Sequence, residues 1–326
     1  MAFFTVFAIL SLMVVAALRP VRRAPIPIPA RGRGGVISRA IPSQSSAKRH
    51  VMPYRPSMHR LSGLAALLGL LVGGARGVLT VLDGARGEVL RRIDVPGSMH
   101  HVAVSPDGRF ATATHPGGAA VSVVDLDRGE VLATIPVGDD PNHAVFTRGG
   151  AGLAVSVAGE DVIALIDTAD WRITARIAVG ASPEHIVLSP DGTRFYVNNV
   201  DDGSVSEINM ATRKQVRTIA LKGLPLHGLD LTDDGGALIA SILGDDAVAR
   251  IDLASGTVIR AALAPAPYHV AAAHGSGKVY VSSAAAPGLT VLSQNDLSVI
   301  GRVETGGVGH QAVSLAMSPL VGGKVQ

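Results

Sequence analysis

His101–Gly138 reads HVAVSPDGRFATATHPGGAAVSVVDLDRGEVLATIPVG. It divides into four short phrases: HVAVSPDG, RFATATH, AAVSVVDLD and EVLATIPVG. Each holds four to eight apolar or alternating residues bounded by Gly, Pro or Asp, the signature of a β-strand between turns. From Val78 onward the chain repeats this four-part unit. The residue that ends the third phrase measures the register: Asp83, Asp125, Asp167, Asn209, Asp252 and Ser293 lie 42, 42, 42, 43 and 41 residues apart. Four short strands in a repeat of this length make a propeller blade, whose first strand lines the central channel and whose fourth lies at the rim.

Five whole blades fit between His101 and about Thr305. The remnants at either end complete each other. Residues 78–95 supply third- and fourth-strand phrases (VLTVLD, EVLRRIDV), and HQAVSLAMS from His310 begins a first strand. The expectation is an all-β propeller of six four-stranded blades, with seven as the alternative count. Its last blade is a composite, closed by pairing N- and C-terminal strands, which removes the open edges that invite aggregation.

Composition agrees with a single turn-rich domain: 326 residues, 47% apolar, 38 Gly, 19 Pro and 11 aromatic residues. The net charge of +3 hides a division. Residues 1–76 hold eleven Lys or Arg and no acid, so the remainder carries 18 basic and 26 acidic residues, about −8. The basic charge is confined to the leader, which argues against nucleic acid as a partner. The absence of cysteine excludes disulfides, thiolate metal sites and covalently attached c-type haem.

The leader contains two apolar runs. Residues 1–18 are uncharged and followed by Arg19, Arg22 and Arg23, as in a membrane anchor, and an Arg/Pro/Ser-rich stretch continues to Arg55. Met58-His59-Arg60 then precedes LSGLAALLGLLVGGA, with Gly73 and Ala75 at a cleavage position, the layout of a signal peptide. The expected organisation is residues 1–57 as an extension upstream of a start at Met58, residues 58–76 as signal peptide, and residues 77–326 as propeller. That implies a periplasmic or secreted domain; the alternative is a membrane-anchored one outside the cytoplasm. Either way, membrane contact is through the leader only.

GASPEHIVLSPDGTRFYVNNVDDGSVSEINMATRKQVRTI, residues 180–219, resembles a YVTN-type β-propeller repeat, with its Gly/Pro turn, its SPDG and its Tyr-Val-x-Asn. The resemblance runs over roughly residues 78–315. SPDG is intact at Ser105–Gly108 and Ser189–Gly192 and becomes TRGG, TDDG or HGSG elsewhere. Propellers of this kind serve as binding scaffolds, lactonases and redox enzymes, so the fold does not by itself assign a function.

Where that family has a small residue at the start of the inner strand, this chain has His101, His143, His185, His227, His269 and His310, spaced 42, 42, 42, 42 and 41, and His100 adds a seventh. Four follow a proline by two residues: Pro141, Pro183, Pro225 and Pro267. Equivalent positions on inner strands surround the axis, so these imidazoles are expected to ring one mouth of the channel. A lone histidine at such a place is ordinarily structural. Here the histidine persists while the SPDG turn decays. Crowding and burial also favour neutral imidazole, the ligand form.

The expected ligand is a transition metal, Cu or Zn, bound by His100, His101, His143, His185, His227, His269 and His310 or a subset of them. The pair His100-His101 followed by single histidines is similar to the seven-histidine copper-binding propeller of nitrous oxide reductases. This chain lacks the Cys-bearing copper domain of that family. Metal binding without turnover is therefore the leading expectation, with no catalytic residue assigned. The alternatives are a metal- or haem-dependent oxidoreductase or lactonase-like propeller, and a scaffold binding a protein partner at the channel mouth.

His227 poses a register problem. It lies five residues before its turn residue Thr232, whereas His101, His143 and His185 lie four before theirs. A one-residue slip along a strand reverses the facing of a side chain. Asp139, Asp140, Glu184 and Tyr268 stand beside the ring as candidates to orient its imidazoles, and His115 and His274 are expected at the surface.

Overall fold

The computed structural model describes residues 69–72, 77–83, 88–221, 225–273 and 275–308. These form six antiparallel sheets: five of four strands and one of three. The chain is a six-bladed β-propeller.

In the five whole blades the strands run in chain order from the axis outward. The inner strands are Val102–Val104, Pro141–Phe146, Pro183–Leu188, Leu226–Leu231 and Pro267–Ala273. Second and third strands, such as Ala237–Ile242 and Ala120–Asp125, are buried on both faces, which explains their near-continuous apolar runs. The rim strands Glu130–Pro136 and Arg172–Ala178 alternate exposed and half-covered residues. Neighbouring blades share their cores: Val121, Val123, Phe146, Leu153 and Val155 form one cluster across blades one and two.

The residue chosen as register mark has a turn-making role. The carboxylate of Asp125 accepts the N–H groups of Asp127 and Arg128, Asp167 accepts that of Ala169, Asn209 that of Thr212, and Asp252 that of Ser255. Each side chain thus stands in for a backbone carbonyl and closes the turn into the rim strand. The degenerate TDDG keeps the SPDG chemistry, with Thr232 Oγ1 donating to Asp234 Oδ1 at 2.6 Å as Ser189 Oγ does to Asp191 at 2.6 Å.

Val78–Asp83 and Val89–Asp94 pair as the third and fourth strands of the composite blade. Beside Val78–Asp83 lies a third strand, Gly69–Val72, drawn from the segment read as a signal-peptide core. Leu79, Ile93 and Val95 pack this blade against Val102, Ala111 and Ala113 of blade one. The C-terminal contribution expected from His310 onward lies outside the described residues.

Candidate metal centre

Each inner strand of blades two to five starts with a bulge. Pro141 pairs with Val157 and Ala144 with Val155, so Asn142 and His143 together oppose a single residue, Ser156. The same two-against-one arrangement places Glu184-His185 opposite Asn198, His227-Gly228 opposite Ser241 and Tyr268-His269 opposite Ser282. A bulge re-aims side chains that strict alternation would send to opposite faces.

A second polar column holds these bulges. The hydroxyl or amide of Thr114, Ser156, Asn198, Ser241 and Ser282 accepts the backbone N–H of His101, His143, His185, Gly228 and His269 respectively, always 13 residues earlier. Four of them donate across to the next blade: Thr114 to the carbonyl of Asn142 (2.7 Å), Ser156 to Glu184 (2.6 Å), Asn198 to His227 (2.6 Å), and Ser241 to Tyr268. The sequence carries this signal as Thr, Ser, Asn, Ser, Ser at repeat spacing, and sequence reasoning missed it.

This column settles the register of His227. Its backbone is equivalent to Glu184 and Tyr268, and Gly228 occupies the position of His185 and His269. Only glycine fits there: a Cβ on Gly228 would stand 2.6 Å from Val270 N and 2.7 Å from Tyr268 O. The bulge nevertheless brings the His227 imidazole into the cluster from the first position of the pair.

The described histidines divide by what their nitrogens do. His101 Nδ1 accepts the N–H of Ala144 at 3.3 Å, and His143 Nδ1 accepts that of Ile186 at 3.4 Å. A neutral imidazole accepting at Nδ1 carries its proton on Nε2, so neither nitrogen is an available ligand. These two rings pack with centroids 3.8 Å apart, tilted by 36°, and pin one blade to the next. Burial pushes His101 down to about 3, with the neighbouring His185 and His100 adding to the effect, and pushes His143 well below the usual histidine range. His100 is exposed, with Nδ1 3.4 Å from the carbonyl oxygen of Asn142. His310 and His274 lie outside the described residues.

His185, His227 and His269 converge. One ring nitrogen of each lies within 4.8 Å of those of the other two, and His185 and His269 are buried. His185 Nε2 is 3.1 Å from His269 Nδ1, and His227 Nε2 is 3.3 Å from His269 Nε2. Ligand nitrogens bound at about 2.0–2.1 Å around a tetrahedral ion stand about 3.3 Å apart. The two contacts use different nitrogens of His269, so to hold one ion that ring must turn a single nitrogen toward the other two, starting from a set that lies within 4.8 Å.

Glu184 backs two of these rings. Its Oε2 lies 2.8 Å from His227 Nδ1 and 3.6 Å from His185 Nδ1. Burial pushes the Glu184 carboxyl up, but the two imidazoles outweigh that and hold it below the usual carboxylate range. Burial lowers His227, and Glu184 partly offsets the effect. Tyr268 stacks on His227 with centroids 3.7 Å apart, and burial, with the Glu184 charge, lifts its hydroxyl to about 12. Asp139 and Asp140 are exposed in the turn before Pro141.

His115 corrects an expectation. It is buried, not at the surface, with Nδ1 2.9 Å from the Ser98 carbonyl and Nε2 2.8 Å from Ser122 Oγ. It sits at the end of the second strand, in a column where Val157, Asn199 and Ile242 are also buried and Ser283 is half-buried.

No family model matches this chain, and no curated protein does. Solved structures do. Hydrazine synthase of Kuenenia stuttgartiensis matches with a TM-score of 0.69 at 21% identity, over 80% of this chain and 93% of that one. The β-propeller domain of Cps50 (Swd1) from Myceliophteria thermophila matches with a TM-score of 0.64 at 17% identity, over 76% and 86%. At these identities the likeness is one of fold, and the fold is the β-propeller.

Proposed function

We propose that this protein is an exported propeller of YVTN-type repeats that binds a transition metal, Cu or Zn, through His185, His227 and His269. The observation that carries the reading is the convergence of three imidazole nitrogens within 4.8 Å, two of the rings backed by one carboxylate. Imidazole nitrogen suits both ions, and a carboxylate behind a ligating histidine is the usual outer support of such sites. Three protein ligands leave a coordination position for water or a small ligand.

The test is metal analysis of the purified full chain after chelation and reconstitution with Zn(II) or Cu(II), alongside calorimetric titration. The reading expects about one ion per chain and its loss in His269→Ala. No bound ion, with a melting temperature unchanged by either metal, overturns it. Export rests on the signal-peptide layout of residues 58–76. Cleavage after Ala75 would remove the Gly69–Val72 strand and free the edge of Val78–Asp83. N-terminal sequencing of the native protein checks this: a start just after Ala75 supports export, and residues from before Met58 contradict the assigned start.

A further inference from the structure

We infer that Glu184 is the positioning residue of this centre: a single carboxylate sets the tautomers of His185 and His227 together, and so turns two Nε2 lone pairs toward His269. The inference rests on the metal-binding reading for its purpose, but not for its geometry.

Three observations support it. Oε2 of Glu184 faces Nδ1 of both rings, at 2.8 Å for His227 and 3.6 Å for His185. The carboxylate charge favours the ring proton on the nitrogen nearer to it, Nδ1 in both rings, and so leaves each Nε2 as a lone pair. Those two Nε2 atoms approach His269 on different nitrogens, His185 at 3.1 Å from Nδ1 and His227 at 3.3 Å from Nε2; a neutral His269 donates to only one of them, so the other approach brings two lone pairs together. Finally, His185 Nδ1 and Glu184 Oε2 are both buried without an aligned hydrogen bond among the described residues, a cost that contraction of the site around an ion would relieve.

The placement follows from the repeat. Glu184 and His227 occupy the same bulge position in adjacent blades, and His185 follows Glu184 on its own strand. In blades one and two the matching nitrogen is engaged by a backbone N–H of the next blade, to His101 from Ala144 and to His143 from Ile186. For His185 the carboxylate takes that place. One acidic residue thereby converts a structural histidine column into a ligand set.

Substitution of Glu184 by leucine removes the charge and both acceptor oxygens while keeping a side chain of similar size. Neither Nδ1 then faces an acceptor or a negative charge, so nothing holds the ring protons on Nδ1 and the Nε2 lone pairs toward His269. Long-range 1H–15N NMR of the imidazoles in the metal-free full chain reads the tautomers directly, and Co(II) alone reports coordination by its visible bands.

The inference expects Nδ1–H tautomers at His185 and His227 and Nε2–H at His101 and His143. It expects the first pair to lose its Nδ1–H preference in Glu184→Leu, with Co(II) affinity falling about 10–100-fold. Glu184→Asp should keep both tautomers and recover part of the affinity. Nε2–H at His185 and His227 in the wild type, or unchanged tautomers and affinity in Glu184→Leu, overturns the inference. Expected tautomers without Co(II) binding by the wild type would support this inference and overturn the metal-binding reading.

Discussion

His101 offers a quantitative test of how the histidine column is used. In the folded chain the residue is 8% exposed and its Nδ1 accepts the Ala144 N–H, and burial pushes its pKa from 6.5 to about 3. In the unfolded chain the same ring is free to protonate near 6.5. Folding therefore excludes a proton, and its contribution is fully present above the unfolded pKa and lost as pH falls toward 3. At pH 4.5 the fall amounts to two units, about 3 kcal/mol at about 1.4 kcal/mol per unit.

Glu184, His143 and His227 also titrate differently in the folded and unfolded chain over this interval, so the His101 share is read as the difference from a variant. His101→Asn keeps an acceptor for Ala144 N–H and removes the titration. Urea unfolding of the metal-free full chain at pH 7.5 and 4.5 measures both proteins. The wild type should lose about 3 kcal/mol more than the variant over this interval. Equal losses would show that His101 is not a buried neutral group and would refute its assignment as an inter-blade pin.

Gly228→Ala forces a Cβ to within 2.6 Å of Val270 N, and should destabilise the chain by about 1–3 kcal/mol in a denaturant titration. Ser156→Ala leaves the His143 N–H without its acceptor and the Glu184 carbonyl without its donor, and should cost about 1–3 kcal/mol by the same assay. His115→Ala should lower the melting temperature, as expected for a buried hydrogen-bonded ring, while leaving the Zn(II) stoichiometry unchanged. The same stoichiometry in His227→Ala should fall to zero despite that residue's departure from the backbone register of His185 and His269.

The blades were legible because their turns are written in local chemistry: the polar residue ending the third strand of each whole blade hydrogen-bonds residues two or three further on, so spacing alone marks it. The histidine column was legible for the same reason. Which of its members could serve as ligands was not. That depends on the partner of each Nδ1, a backbone N–H 43 residues away for His101 and His143, and an adjacent carboxylate for His185. His227 was ambiguous because proline and turn registers disagree by one, and the bulge lets both hold, the turn register fixing the backbone and the side chain still reaching the trio. His115 looks like a surface residue in its own polar turn, but it shares its repeat position with Val157, Asn199 and Ile242, which are buried.

The central claim is that three histidines, and not the whole column, hold one ion. A crystal structure of the Zn(II)-loaded chain with anomalous scattering at the zinc edge tests it most directly. The account predicts one strong peak bonded to His185, His227 and His269, with Glu184 behind two of the rings and His101 and His143 still accepting from Ala144 and Ile186. A peak bonded to His101 or His143, or none among the trio, would contradict it.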